Sequence, residues 1–522
     1  MSGTLPLDTH TNWWELVVQR AELTPDRMFL DDPVGRSLTF GQYRTVAEEV
    51  AAGFAELGMA ADQTVSYQLP SGLECAVLFA ALSRLGVKQN PIITMLRRAE
   101  VGLIVDQLHS DWLIVPINWR GFSYKSMAEE IVAGTDCQLY ELPIAEGVPG
   151  PIVLPQGDPS TLPRYEHRED VRWFFYSSGT TAVPKGAKHT DASVMAASNG
   201  CVQYYGFDAE SKFPAATPMT HIGGMMVLTT QMRLGFRSLV LDRFDPVESP
   251  GVMARYGATN LGSAVPFFLA YLDAQKRHGA EPLFPNLRVC AAGGAPMPPE
   301  VHRRVKSELG GRGIVNSWGL TECPNSTSVS PDDPEEAFDG TVGRACFGVD
   351  IRIVTSDGRL AGVDEEGELR LKGPNLFSGY VDSALDEEAF DADGYLRTGD
   401  LGRRDASGYV TITGRIKDII IRNAENISAV EVENVLHQHE SINDVAVIGL
   451  PDRRTGERCC AVIVVAAGAE RPTLAELVGH CQAKGLATQK APEQLEFIEE
   501  MPRNSMGKIL KSDLRVRFAA PS

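Results

Sequence analysis

A chain of 522 residues is longer than one hydrophobic core sustains, about 250–300 residues, so at least two domains are expected. Hydrophobic residues at 43% and charged residues at 22% are ordinary for a soluble globular protein. The formal net charge of −19 gives no attraction to a phosphate backbone and excludes nucleic acid as an expected partner, although local Lys, Arg and backbone N–H groups can still hold small anions.

The opening stretch MSGTLPLDTHTNWWELV has no basic start followed by an apolar run, so no secretory signal is expected. From about residue 38 to 320, short apolar runs alternate with longer amphipathic ones. VSYQL (65–69) precedes ECAVLFAALSRLG (74–86), and RWFFYS (172–177) precedes a Gly/Thr/Pro loop and a helical stretch near 190–204. SLVLD (238–242), ATNLG (258–262) and LRVCAAG (287–293) are each followed by a helical pattern. This alternation predicts parallel sheets with helical crossovers, whose ligands sit beyond the carboxyl ends of the strands. Residues 341–413 are richer in Gly and Asp, with short strands such as DIRIVT (350–355) and GELRLKG (367–373), and predict a β-rich subdomain. After a break near 414–418, about a hundred residues alternate helix and strand again, as a separate small α/β domain.

Nine cysteines, an odd number without framework spacing, predict no disulfide scaffold, and no CxxC pair or HExxH pattern predicts zinc. No apolar run reaches the ~18 residues of a membrane-spanning helix. A soluble, cytoplasmic protein is expected, and a homodimer is compatible with the sequence.

The strongest chemical pattern is YSSGTTAVPKGAKHT (176–190). Its Ser, Thr and Gly residues supply hydroxyls and accessible backbone N–H groups, and Lys185 adds a positive charge, which is what a triphosphate requires of a loop. It is not a Walker A loop, because no Ser or Thr follows the Lys. The reading places it between a strand and a helix.

Here the chain resembles the adenylate-forming superfamily of acyl-CoA synthetases, peptide-synthetase adenylation domains and luciferase-type enzymes. The resemblance recurs in the family's order through PMTHIGG (218–224), AGGAP (292–296), SWGLTEC (317–323), YLRTGD (395–400), GRIKDIIIRNAENISAVEVE (414–433) and PRNSMGKILK (502–511). It implies an α/β fold: a large N-terminal domain, residues 1–415, of parallel-rich sheets with flanking helices plus the β-rich subdomain, and a small mobile C-terminal α/β domain, residues 416–522. It implies ATP, Mg²⁺ and CoA as cofactors and co-substrates. Ser177, Ser178, Gly179, Thr180, Thr181 and Lys185 would face the triphosphate. Gly293, Gly294, Ala295 and Pro296 would lie against adenine. Trp318, where Tyr is commonest, would stack on it beside Gly319. Thr321 would meet the α-phosphate, Glu322 would hold Mg²⁺, Asp400 would accept both ribose hydroxyls, and Arg415 would face ribose and phosphates. His221 would gate the acyl site, with Gly223 beside it, Lys417 would be the hinge and Lys508 the catalytic lysine. The catalytic group so implied is Lys508, Thr180, Glu322 and His221.

The expected activity is an ATP-dependent acid–thiol ligase: a carboxylic acid and ATP give acyl-AMP and pyrophosphate, and the acyl group passes to CoA. Met225, Met226, Val265, Phe267 and Phe268 are apolar candidates for the acyl pocket, suiting a medium-chain, alicyclic or aromatic acid. THIGGMMV carries no carboxylate to hold an amino group, which disfavours an amino acid. The alternative is a stand-alone enzyme that loads an acyl group onto a carrier protein. A non-catalytic protein is disfavoured by the joint presence of Lys185, Glu322, Asp400, Arg415 and Lys508. One departure stands out. Acyl-CoA ligases typically read Arg-Gly-Gly-Glu-Asn-Ile where this chain has Asn423 and Ala424, so a methyl group enters the implied CoA tunnel.

Overall fold

Five strands of the first sheet are parallel, and the inner ones are buried from both sides, so they need helices on each face. The order across that sheet is Lys185–Thr190, Val171–Ser177, Lys88–Pro91, Thr64–Tyr67, Trp112–Pro116 and Gln138–Leu142, with only the first pair antiparallel. Its crossover helix Leu73–Leu85 is buried at eleven consecutive positions, which is why its sequence is apolar all round. Gly86, at φ +71°, ends it in the left-handed conformation that glycine adopts freely. The computed structural model describes residues 7, 12–144, 146–177, 184–294, 297–422, 425–504 and 507–519.

A second sheet runs Lys212–Ala215, Arg237–Val240, Met28–Asp31 and Ser37–Thr39, parallel except for the last pair. A third has Asn260–Ser263, Val289–Ala292 and Ile314–Trp318 parallel, extended by the short antiparallel strands Thr327–Ser328 and Arg344–Ala345. The β-rich segment is a four-stranded antiparallel sheet of Asp350–Val354, Gly367–Lys372, Leu396–Arg404 and Val410–Arg415. From Ile419 onward the chain builds its own sheet, Glu425–Ser428, Ile419–Arg422, Gly456–Val465 and Ile442–Asp452, with Gln494–Phe497 on Gly456–Val465. Two hydrophobic clusters belong wholly to this last unit, one around Val432, Leu436, Val447 and Leu477, the other around Ile448, Val462 and Leu514. No helix among the described residues is long and apolar enough to cross a membrane.

The parallel-rich expectation holds for the N-terminal sheets, a helix begins at Asp191 as expected near 190, and the Ser/Gly/Thr-rich loop reaches it through an additional strand. It joins Val171–Ser177 to the antiparallel strand Lys185–Thr190, with Lys185 opposite Ser177 and Gly186 opposite Tyr176. Helix begins only at Asp191–Ala197, where Thr190 caps it and forms a capping box with Ser193.

Candidate active site

The register of Leu396–Arg404 against Val410–Arg415 sets Asp400 directly opposite Arg415. Opposite charges at such cross-strand positions attract. Arg415 Nε lies 2.6 Å from Asp400 Oδ1, and its Nη2 donates to Oδ2 at 3.3 Å. Trp318 closes the strand Ile314–Trp318 and donates its indole N–H to the same Oδ2 at 2.9 Å. Asp400 is only 2% exposed, yet Oδ1 accepts no aligned hydrogen bond. A buried oxygen in that condition is costly unless a donor reaches it, and a ligand hydroxyl is such a donor.

Cations gather around this pair. Burial pushes the Lys508 ammonium down to about 8; Arg415 and Lys417 push the same way, while Asp400 and Asp418 oppose them. Lys417 is lowered by burial, then by Arg415, with Lys185 adding to the effect. Four cations against two carboxylates leave the cluster net positive inside an acidic protein, which suits a polyanion. Lys508 is held by a tight turn. Asn504 Oδ1 accepts its amide at 3.0 Å, and the Asn504 amide donates to its carbonyl at 2.9 Å. Arg503 pairs with Asp444 at 2.5 Å and also donates to the Gly507 carbonyl. Gly507, at φ +76°, rests on Ala264 and Pro266 at the start of helix Val265–His278; a Cβ there would lie 3.2 Å from that of Ala264. The turn from the C-terminal unit is thus seated against the N-terminal sheets.

Ser317 donates to the Ala292 carbonyl at 2.8 Å and pairs with the Tyr205 hydroxyl at 2.7 Å. A Cβ at Gly293 would lie 2.7 Å from Ser317 Oγ, so the close approach of these strand ends needs glycine. The Gly319–Glu322 bend follows. The Thr321 carbonyl accepts from buried His189 Nε2 at 2.9 Å, and Glu322 Oε1 accepts from the Tyr380 hydroxyl at 2.7 Å. Glu322 Oε2 has no partner among the described residues. One carboxylate oxygen beside phosphate groups fits Mg²⁺, which commonly takes one or two carboxylates and fills the rest with phosphates and water. Lys185 Nζ lies 5.5 Å from the centre of the Tyr380 ring. Ser178, Gly179, Thr180, Thr181, Ala295, Pro296, Asn423 and Ala424 lie outside the described residues.

On the acyl side, His221 caps helix Ile222–Leu234, and its Nδ1 accepts the Gly223 amide at 3.0 Å. That bond requires an unprotonated Nδ1, and burial pushes the ring down to about 4, so His221 is neutral at neutral pH. Met226 is half-buried, and Phe267 is half-buried with its ring 4.4 Å from that of Phe244. Met225 faces the other way. It is 0% exposed and packs in the main core with Met219, Leu228 and Met232. Phe268 and Val265 belong to the core under the third sheet. An apolar cavity of about 20 Å³, room for one water, lies beside Met219, Gly224 and Val227.

The AMP-binding enzyme family matches residues 17–381, and its C-terminal domain matches residues 431–508. This chain belongs to the AMP-binding enzyme family. It is 32% identical to the sulfoacetate–CoA ligase of Cupriavidus necator, over 96% of each chain. It is 34% identical to the salicyl-AMP ligase / salicyl-S-ArCP synthetase of Mycobacterium tuberculosis, over 93% of this chain and 87% of that one. The crystal structure of ATP-bound MatB from Rhodopseudomonas palustris superposes with a TM-score of 0.86 at 25% identity, covering 98% of this chain and 99% of that one.

Within this AMP-binding enzyme the sequence reading missed two residues that shape the site. His189 holds the Thr321 carbonyl, and Tyr380 holds Glu322. His189 lies at the end of the 176–190 pattern but was given no role there, and Tyr380 lies outside the quoted patterns. The reading also counted Met225 among acyl-pocket residues, and its burial in the core corrects that. Helical spacing separates two faces of Ile222–Leu234 without saying which one meets a ligand. Met225→Ala should therefore cost about 2–5 kcal/mol of stability, seen as a lowered urea midpoint, with the Michaelis constant for the acid unchanged. Met226→Ala and Phe267→Ala should raise that Michaelis constant at nearly unchanged stability. The reverse pattern would return Met225 to the acyl site.

Proposed function

We propose that this chain is an AMP-forming acyl-CoA ligase acting in the cytoplasm on an apolar carboxylic acid. The observation that supports it most is the seating of Lys508 beside the Asp400–Arg415 pair. A carboxylate cannot be acylated directly to a thiol, because its leaving group would be oxide. Attack of a carboxylate oxygen on the ATP α-phosphorus forms the C–O–P bond of acyl-AMP and breaks the bond to pyrophosphate. The nucleophile is already ionised, so no general base is required. The difficulty is the approach of two anions, which is a problem of alignment and charge. Lys508 places a compact charge where carboxylate and α-phosphate meet. Asp400 takes the ribose hydroxyls on the oxygen that Arg415 and Trp318 leave without an aligned donor. Lys185 lies along the phosphates. Glu322 would hold Mg²⁺, which when bound supplies positive charge to the departing pyrophosphate. Neutral His221 closes the acyl side without adding charge.

For the second half-reaction the thiol of CoA must reach the acyl carbon where Lys508 now stands. The reading is therefore a two-domain enzyme, residues 1–415 and 416–522, turning about Lys417 in the short turn Ile416–Asp418. Support comes from the separate sheet and hydrophobic clusters of the last unit. The apolar, half-buried Met226 and Phe267 favour an alkyl, alicyclic or aromatic acid. A carrier protein as acceptor is the second reading, favoured by the 34% identity to a salicyl-S-ArCP synthetase. Supplying preformed acyl-AMP with either free CoA or a phosphopantetheinyl carrier separates the two.

Lys508→Ala should lower acyl-AMP formation about 10²–10³-fold and leave thioester formation from supplied acyl-AMP unchanged. Equal loss in both steps would reject the assigned role. The pH profile gives a second check. An ammonium pushed down to about 8 is charged below that pH and loses its charge above it. The kcat/KM for acyl-AMP formation should thus fall as pH rises through about 8, since this ratio reports groups of the uncomplexed enzyme. Lys508→Arg, whose guanidinium stays charged, should lack that descending limb whatever its absolute rate.

A further inference from the structure

Tyr380 lies where three parts of the site meet. Segment 377–381 runs beside Lys185–Thr190: Ser378 N donates to the Lys188 carbonyl at 2.7 Å, Lys188 N to Gly379 at 3.0 Å, and Val381 N to Gly186 at 2.8 Å. One residue before this run, Phe377 N donates to the Glu322 carbonyl at 2.8 Å. The Tyr380 amide is fixed in turn by Asp386 Oδ1 at 2.7 Å, and its ring packs edge-on against Phe377 at 4.9 Å. The side chain is 7% exposed. Its hydroxyl donates to Glu322 Oε1 at 2.7 Å, and its ring face looks toward Lys185 Nζ at 5.5 Å.

We propose that Tyr380 is a positioning residue for the metal–pyrophosphate end of the reaction. By occupying Oε1 it turns the other Glu322 oxygen toward a divalent cation, and with its ring it keeps Lys185 beside the same phosphates. One side chain then sets the distance between a cation ligand on one loop and a phosphate-binding lysine on another. The inference rests on the proposed role of Glu322, and the test separates the two.

In the full chain, Tyr380→Phe keeps the ring and removes the donor. The Mg²⁺ concentration for half-maximal acyl-AMP formation should rise about tenfold, the effect of one hydrogen bond to a charged group. The affinity for Mn²⁺ in the presence of a non-hydrolysable ATP analogue, read from the electron paramagnetic resonance signal of unbound Mn²⁺, should fall by a similar factor. Thioester formation from supplied acyl-AMP should not change. Tyr380→Leu should in addition raise the Michaelis constant for ATP several-fold, because Lys185 loses the ring face. Glu322→Gln serves as the reference. If it shifts both metal curves and Tyr380→Phe shifts neither, the role of Tyr380 is overturned while that of Glu322 stands. If Glu322→Gln shifts neither, the metal assignment itself fails. Should the phenylalanine variant not fold, Tyr380→His carries the test: it moves the donor within the same packing, and unmoved metal curves would overturn the proposal.

Discussion

Two anions must be brought into contact, and the cations that allow it cannot be permanently assembled without cost. Like charges packed together raise each other's energy, and burial adds to that. Lys508 and Lys417 both show it, each lowered first by burial and then by Arg415. The chain reduces the cost by drawing the cations from separate places. Lys185 comes from the edge of the first sheet, Arg415 from the antiparallel sheet, Lys417 from the turn after it, and Lys508 from the far end of the chain. Asp400 and Asp418 moderate the cluster without neutralising it, so a polyanion is its natural complement.

Asp400 is the fixed point of that arrangement. Strand register, an arginine across the ladder and a tryptophan N–H from another sheet all converge on it. The indole differs here from the phenol that commonly stands at this place in the resembling family. A tyrosine hydroxyl could donate or accept, whereas an indole N–H only donates. Trp318 therefore fixes Oδ2 as an acceptor, while Oδ1 faces Arg415 Nε.

Much of this was legible in the sequence, and the reasons for the rest are physical. Lys508, Asp400 and Arg415 stand in short motifs whose order along the chain was informative, and the structure places the three together. The strand–helix alternation before residue 320 showed parallel sheets because apolar period and element length go together. The helix expected near 190 begins at Asp191, but the strand Lys185–Thr190 before it was not foreseen, because KGAKHT has no apolar alternation to mark it. Met225 was misjudged because periodicity identifies faces and says nothing about what lies opposite them. Tyr380 and His189 act over sequence separations of 58 and 132 residues, through single hydrogen bonds that no local pattern encodes.

The distribution of ion pairs bears on how the proposed turn about Lys417 could proceed. Arg503–Asp444, Lys511–Glu433 and Arg422–Glu493 all lie within the C-terminal unit, so they travel with it unbroken. The first of these also grips the Gly507 carbonyl, which means the Lys508 turn moves as part of a rigid body. Arg515 reaches Asp418, the last residue of the pivot turn, at 2.8 Å. That pair ties one side of the pivot to the unit's final helix, Lys511–Phe518, and confines the backbone change to residues before Asp418. On the other side, Gly507 lies near Ala264 and Pro266, where an added Cβ would come within 3.2 Å of the Ala264 Cβ. Contacts of that kind are individually weak and are readily exchanged for water. Ser428 Oγ also donates to the Thr413 carbonyl across the same boundary, so the proposed turn must exchange that hydrogen bond as well as these contacts.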